Sequence, residues 1–96
     1  MTKEIRKTTQ FKKDFKRYSK DLERVKALFE IVRKLANDEP IPAEFKPHPL
    51  GGDYHNHMEC HIGNDYLLIW YDKTEHVIEL VRVGSHSELF GKKRKR

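Results

Sequence analysis

Between Asp53 and Ile62 the chain alternates residue by residue, and this alternation restricts the possible folds more than any other stretch. A strand here places Tyr54, Asn56, Met58, Cys60 and Ile62 on one face and His55, His57, Glu59 and His61 on the other. Gly63, Asn64 and Asp65 then read as a tight turn, and Tyr66 to Tyr71 is an almost wholly apolar run of strand length. The expectation is a β-hairpin with one apolar face and one face that titrates. Packing has no use for imidazoles and a carboxylate gathered on one strand face, whereas proton transfer or metal binding does. His55, His57 and His61 would form a His-x-His pair with a third imidazole, a set able to bind Zn²⁺ or Ni²⁺.

With 96 residues the chain makes one domain with one modest core, because its apolar share is 36% and its charged share also 36%. The lone cysteine, Cys60, excludes an intramolecular disulfide and suits a reducing cytoplasm; on the apolar strand face it reads as a buried structural thiol. No apolar run opens the chain or approaches a membrane span, so neither secretion nor membrane insertion is expected. Charge is unevenly spread: residues 1–34 carry net +7, residues 35–91 net −7, and Lys92 to Arg96 add +5. Contact with a polyanion should therefore come from the first helices and the basic tail.

Lys3 to Thr8 reads as a weak edge strand. Thr8 or Thr9 can cap a first helix in which Phe11, Phe15, Tyr18 and Leu22 recur at helical spacing, with lysines around the rest. Ser19 to Asp21 is a break, and Asp21 and Glu23 suit the first turn of a second helix. There Leu22, Val25, Leu28 with Phe29, Val32 and Leu35 with Ala36 predict one face lying on a sheet, and the two helices form a hairpin. Asn37 to Pro40 end it. All four prolines fall between Pro40 and Pro49, so His48, flanked by Pro47 and Pro49, is held extended on a stiff loop. Beyond the hairpin, Asp72 to Glu75 predict a turn and His76 to Val83 a third strand, with Val77, Val81 and Val83 on one face and Ile78, Leu80 and Arg82 on the other. Ser85 and Glu88 have capping-box spacing, placing His86 at the first position of a short terminal helix, where an anionic group is welcome.

Three spaced stretches carry a resemblance: Phe45-Lys46-Pro47-His48-Pro49-Leu50; Glu59-Cys60-His61 with Asp65 four residues on; and Arg82-Val83-Gly84-Ser85-His86-Ser87-Glu88-Leu89-Phe90-Gly91. Together they closely resemble the YafQ-type branch of the RelE toxin superfamily, over nearly the whole chain. The resemblance implies an α+β fold of RelE/ParE type: an N-terminal strand and helical hairpin packed on a twisted antiparallel sheet, with a short C-terminal helix. The toxin domain would span residues 1–91, with 92–96 a basic tail. It further implies a cytoplasmic toxin that enters the ribosomal A site and cleaves messenger RNA with no catalytic metal or other cofactor. Its partners would be a cognate antitoxin, the ribosome and mRNA, with operator DNA bound only through the antitoxin complex and no membrane. The implied catalytic set is His48, Glu59, His61, Asp65, Arg82 and His86, with Phe90 and Tyr66 contacting substrate. Two positions depart from the family: Glu59 stands where an aspartate is usual, and Tyr66 where tryptophan is common.

RNA cleavage without metal needs a base for the ribose 2′-OH, an acid for the departing 5′-oxygen and stabilisation of the phosphorane charge. Histidine suits the first two because its pKa lies near the working pH, and an arginine fork suits the third. On this reading His48 and His86 share acid and base duties, with His61 the alternative for either. Asp65 and Glu59 orient the imidazoles or take the 2′-OH proton, Arg82 meets the phosphate oxygens, and Phe90 stacks a base. Two alternatives share the fold: a toxin that poisons DNA gyrase, and an inactive toxin acting as corepressor with its antitoxin.

Overall fold

A computed structural model of the chain describes residues 2–63 and 65–90. The basic tail from Lys92 and the turn residue Asn64 lie outside the described residues. In order, the elements are β1 (Glu4–Lys7), α1 (Thr9–Tyr18), α2 (Leu22–Ala36), β2 (His48–Pro49), β3 (Met58–Gly63), β4 (Tyr66–Thr74), β5 (Val77–Gly84) and α3 (His86–Phe90). The strands form one sheet in the order β1-β5-β4-β3-β2. The pairs β2/β3, β3/β4 and β4/β5 are antiparallel. β1 runs parallel to β5, so the sheet is mixed rather than purely antiparallel.

Local chemistry sets the helix ends. The Thr8 side chain caps α1 by accepting from Phe11 N, and Asp21 caps α2 by accepting from Arg24 N. Phe11, Leu28, Ile31 and Leu35 of the two helices pack with Cys60, Ile62, Leu68, Trp70, Ile78, Leu80 and Val83 on one face of the sheet. The α2 stripe is rotated from the predicted one. Ile31 is fully buried, whereas Phe29 and Leu22 are 59% and 71% exposed, because Leu28, Ile31 and Leu35 complete the buried face at spacings of three and four. Cys60 is buried in this core, and burial pushes its thiol up to about 12, as expected of a structural cysteine.

Three predicted strand features are corrected. The alternation from Asp53 does not form a strand: residues Gly52–Tyr54 make a 3-10 turn, Asn56 adopts φ 74°, and β3 begins only at Met58. His55 and His57 therefore leave the strand face; His57 stacks on Tyr71 instead, with centroids 4.9 Å apart, and the face of three imidazoles is not built. β4 continues to Thr74, so the turn into β5 is confined to Glu75 and His76. In β5 the register steps from Ile69↔Arg82 to Trp70↔Leu80, which makes Val81 a bulge residue. The bulge transfers Val83 to the helix-covered face with Ile78 and Leu80, while Val81 packs with Leu67, Ile69 and Leu89 on the other.

Candidate active site

The face of the sheet away from α1 and α2 carries the titrating side chains. β2 is a two-residue edge strand in which Pro49 cannot donate to a ladder, a placement that suits proline at an edge. It nonetheless pairs His48 with Glu59 and Pro49 with Met58, which brings His48 from the loop onto the sheet. The 3-10 turn Ala43–Phe45 ends in Lys46 at φ 50°, and the Lys46 carbonyl lies 2.7 Å from His48 Nδ1. A carbonyl only accepts, so Nδ1 is the protonated nitrogen and Nε2 is the one presented to the site.

His48 Nε2 is 3.0 Å from Glu59 Oε1, and His61 Nε2 is 3.9 Å from the same oxygen. The two imidazole centroids are 6.0 Å apart. Glu59 is 4% exposed, and its other oxygen, Oε2, is buried without a hydrogen-bond partner. A buried carboxylate left half satisfied costs free energy that packing alone does not justify. The three donor atoms of His48, Glu59 and His61 lie within 4.8 Å of one another, a nitrogen and oxygen set that could also hold a divalent cation.

A second group gathers where β5 passes into α3. Asp65 Oδ1 accepts from His86 N at 3.1 Å, Ser85 Oγ accepts from Glu88 N at 3.2 Å, and Glu88 Oε1 accepts from Ser85 N at 3.1 Å, so the predicted capping box is formed. Glu88 also accepts from Tyr18 Oη and pairs with Arg17 at 3.5 Å, tying α3 to α1. Together these contacts hold the Glu88 carboxyl below the ordinary range, the Tyr18 hydrogen bond first among them. Leu89 is buried, and Phe90 is half-buried, edge-on to Tyr54 with centroids 6.0 Å apart and 5.1 Å from His86. Leu67 pairs with both His61 and Gly84. The strand end leading to His86 therefore stands two strands from His61, about 10 Å at ordinary strand spacing.

Arg82 is engaged elsewhere. It lies in a row with His48, Glu59 and Ile69, three strands from His48 and so about 14 Å across the sheet. Its Nε and Nη2 donate to Asp14 Oδ2 and Oδ1 at 2.8 and 2.9 Å. β1 ends opposite Leu80, and beyond it α1 closes the edge of β5: Thr8 Oγ1 donates to Val81 O and Asp14 accepts from Val83 N. The guanidinium thus does not touch the imidazoles. Tyr66 is also corrected. It is fully buried against Tyr18, with Arg24 over its ring, and burial raises its hydroxyl to about 12; it is a core residue, not a surface for substrate.

Asp14 escaped the sequence reading, although a carboxylate at the position between Phe11 and Phe15 on an apolar stripe was the available signal. Burial pushes its carboxyl up, but hydrogen bonds from Arg82, Gln10 and Val83 N, with the Arg82 charge, outweigh this and hold it below the ordinary carboxylate range.

Comparison with known proteins finds relatives over nearly the whole chain. Residues 3–91 match the family described as "Bacterial toxin of type II toxin-antitoxin system, YafQ". The chain is 33% identical to the mRNA interferase toxin YafQ of Escherichia coli K12 over 93% of its own length and 97% of the relative's. It is similar to the toxin chain in the crystal structure of the E. coli DinJ-YafQ toxin-antitoxin complex, with TM-score 0.82 and 30% identity over 95% of this chain and 100% of that one. It is equally similar to a metal-bound toxin from Helicobacter pylori, with TM-score 0.82 and 38% identity over 94% of this chain and 100% of that one.

Proposed function

Because this chain belongs to the YafQ family of toxins from bacterial type II toxin-antitoxin systems, we propose that it is an endoribonuclease that cuts messenger RNA in the ribosomal A site by acid-base catalysis. The observation that carries this reading is the buried Glu59 carboxylate facing the imidazoles of His48 and His61 on the open face of the sheet. The same family reading supplies the partners. The E. coli relative is crystallised with DinJ, and by analogy this toxin is held inactive by an antitoxin that occludes it, the pair repressing its own operon. Its place of action is the cytoplasm, and no helix among the described residues is long and apolar enough to cross a membrane.

In the reaction the ribose 2′-oxygen loses its proton and bonds to phosphorus while the bond from phosphorus to the 5′-oxygen breaks. The products are a 2′,3′-cyclic phosphate and a 5′-hydroxyl. His48 suits the acid. With Nδ1 donating to the Lys46 carbonyl, a neutral ring has no proton left for Nε2, 3.0 Å from the Glu59 carboxylate. The pair is complete when one further proton lies between Nε2 and Oε1, and that proton is the one handed to the leaving 5′-oxygen. His86 suits the base: its ring has no hydrogen bond among the described residues, and Asp65 fixes its backbone. His61, with Nε2 3.9 Å from the same Glu59 oxygen, stands beside the pair and is the alternative for either duty. Asp14 takes Nε and Nη2 of Arg82 and Tyr54 is a further hydrogen-bond partner of the guanidinium, so Arg82 holds the β5 edge of the site in place instead of meeting the phosphate held by His48. Phe90 stacks a splayed base.

A divalent ion bound by His48, Glu59 and His61 would polarise a phosphate oxygen or a bound water. These three side chains would then be occupied as ligands and His48 would have no proton to give. The two cases separate in one assay: on the acid-base reading, exhaustive chelation leaves cleavage intact and added Zn²⁺ suppresses it. The main test is primer-extension mapping of cuts on a translated message. Codon-phased cuts are expected from the wild type and none from His48→Ala or His86→Ala; cuts of wild-type strength from both variants would overturn the assignment. Inhibition of gyrase supercoiling by the purified protein would favour the alternative activity of the fold.

A further inference from the structure

Next to His61, β3 and the 3-10 turn Ala43–Phe45 flank an open recess of about 350 Å³ lined by Glu44, Phe45, Lys46, His61, Ile62 and Gly63. Its volume is at the lower end of the range of about 300 to 1,000 Å³ usual for small-molecule sites, enough for one nucleotide. It shares a wall with the catalytic cluster, because His61 lines it.

The opposite wall is fixed to the same cluster. Lys46 adopts φ 50°, a conformation seldom used by a non-glycine residue, and that turn aims its carbonyl at His48 Nδ1, 2.7 Å away. Phe45 is half-buried and packs against the main core, which anchors the turn that carries Glu44 and Lys46. The two charged side chains themselves are exposed, and among the described residues neither belongs to an ion pair, with each other or with any other group. One acceptor-only group and one donor-only group thus stand on an anchored turn that lines a recess beside the proposed reacting imidazoles.

We propose that this recess is the subsite for a base flanking the cut and that it selects guanine. This rests on the nuclease reading above and adds to it what the site discriminates. A carboxylate accepts two hydrogen bonds side by side, and an ammonium only donates. Guanine is the one RNA base whose Watson–Crick edge offers two adjacent donors, N1–H and the N2 amino group, beside an acceptor, O6. Glu44 accepts from the donors and Lys46 donates to O6. Adenine and cytosine offer one amino donor next to a ring-nitrogen acceptor, and uracil sets two carbonyls around one N–H, so each leaves Glu44 facing an acceptor or half paired. RNA is read in this way once a base is unstacked and its edge exposed. A paired contact of this kind discriminates by about tenfold or more.

Two measurements test the proposal, one without cleavage. Guanosine 3′-monophosphate and adenosine 3′-monophosphate are titrated into the wild-type protein and followed by the amide NMR signals of residues 44–46 and 61–63. Guanosine monophosphate is expected to shift these signals and to bind about tenfold more tightly; equal affinity, or shifts elsewhere, would overturn the subsite. In the second, all cut ends from a translated pool of messages are sequenced for the wild type and for Glu44→Gln. The wild type is expected to enrich guanine on one flank, and Glu44→Gln to lower the ratio of guanine to adenine on that flank about tenfold. An unchanged ratio in a variant with the wild-type melting profile would overturn it. Cutting without base preference removes the subsite and leaves the nuclease reading standing; selective binding of the guanosine nucleotide without any cutting does the reverse.

Discussion

Two carboxylates are buried among the described residues, Asp14 at 1% exposure and Glu59 at 4%, and the protein treats them in opposite ways. Asp14 is fully answered: Arg82 donates twice, and Gln10 and Val83 N donate once each. Glu59 has His48 Nε2 at 3.0 Å from one oxygen with His61 Nε2 farther off at 3.9 Å, and nothing at the other oxygen. Both incur the same kind of desolvation cost. At Asp14 the complete donor set fastens α1 to the edge of β5 past the end of β1, where Val83 N–H would otherwise lack a partner. At Glu59 the set is incomplete, and the carboxylate faces two imidazoles on the open side of the sheet. A satisfied carboxylate makes a joint, and the unsatisfied one beside histidines is where the mechanism proposed above places its proton transfer.

Of the two carboxylates, Asp14 should be the more costly to remove. Replacing it with Ala leaves the Arg82 guanidinium partly buried without its partner, and stability should fall by about 3 to 5 kcal/mol. Urea unfolding of the variant measures this directly; a loss under about 1 kcal/mol, the worth of one ordinary hydrogen bond, would mean the pair is not a joint. Glu59→Gln should behave in the opposite sense. The side chain keeps its shape and loses a charge that is half answered, so stability should hold or rise. Cleavage should nonetheless drop by about 10² or more, the usual contribution of a positioned acid or base. A variant that is badly destabilised but cuts at the wild-type rate would erase the distinction.

Acid titration sharpens the same contrast. The Asp14 carboxyl is held below its ordinary value, so the folded state binds its proton less readily than the unfolded state. Its contribution to stability is complete above the unfolded value, about 4, and is lost as pH falls through the lower native one. In Asp14→Asn that part of the acid-side loss should vanish, which a series of unfolding midpoints from neutral pH downward would show. Identical acid limbs in the two proteins would assign the loss to other carboxylates.

The difference between the two sites also marks how far the sequence could be read. Thr8, Asp21 and the Ser85–Glu88 box were legible because each cap is satisfied within three residues of itself. His48, Glu59 and His61 were legible as chemistry through a family resemblance, and their meeting depended on a pairing between His48 and Glu59 that no local pattern encodes. Asp14 was missed because its partners Arg82 and Val83 are about 70 positions along the chain, with separations of 68 and 69. The alternation from Asp53 misled because period two says nothing about φ, and Asn56 at φ 74° turns the chain before the strand begins. The Val81 bulge likewise adds a residue without altering composition, and it moved Val83 across the sheet. Strand faces are the quantity most exposed to such errors, since one extra residue reverses all that follow.

A third carboxylate, Glu88, lies between the two extremes. It is partly exposed, yet it collects Tyr18 Oη, Ser85 N and Arg17. α3 has five residues, too few to be helical unaided, so these contacts and the buried Leu89 fix where it lies. The constraint extends to the backbone: a Cβ at Gly84 would stand 3.0 Å from Glu88 Oε1. Tyr18→Phe removes one hydrogen bond and keeps the ring that packs on Tyr66, so unfolding should show a loss of about 1 kcal/mol or less. Because His86 sits on α3, cleavage should fall by more than that loss explains, through kcat rather than KM, since a misplaced base weakens the chemical step and leaves the mRNA contacts in place. If kcat stays at the wild-type value while stability drops, the tie between α1 and α3 is only a joint of the Asp14 kind, and Leu89 together with Asp65 is enough to place the imidazole.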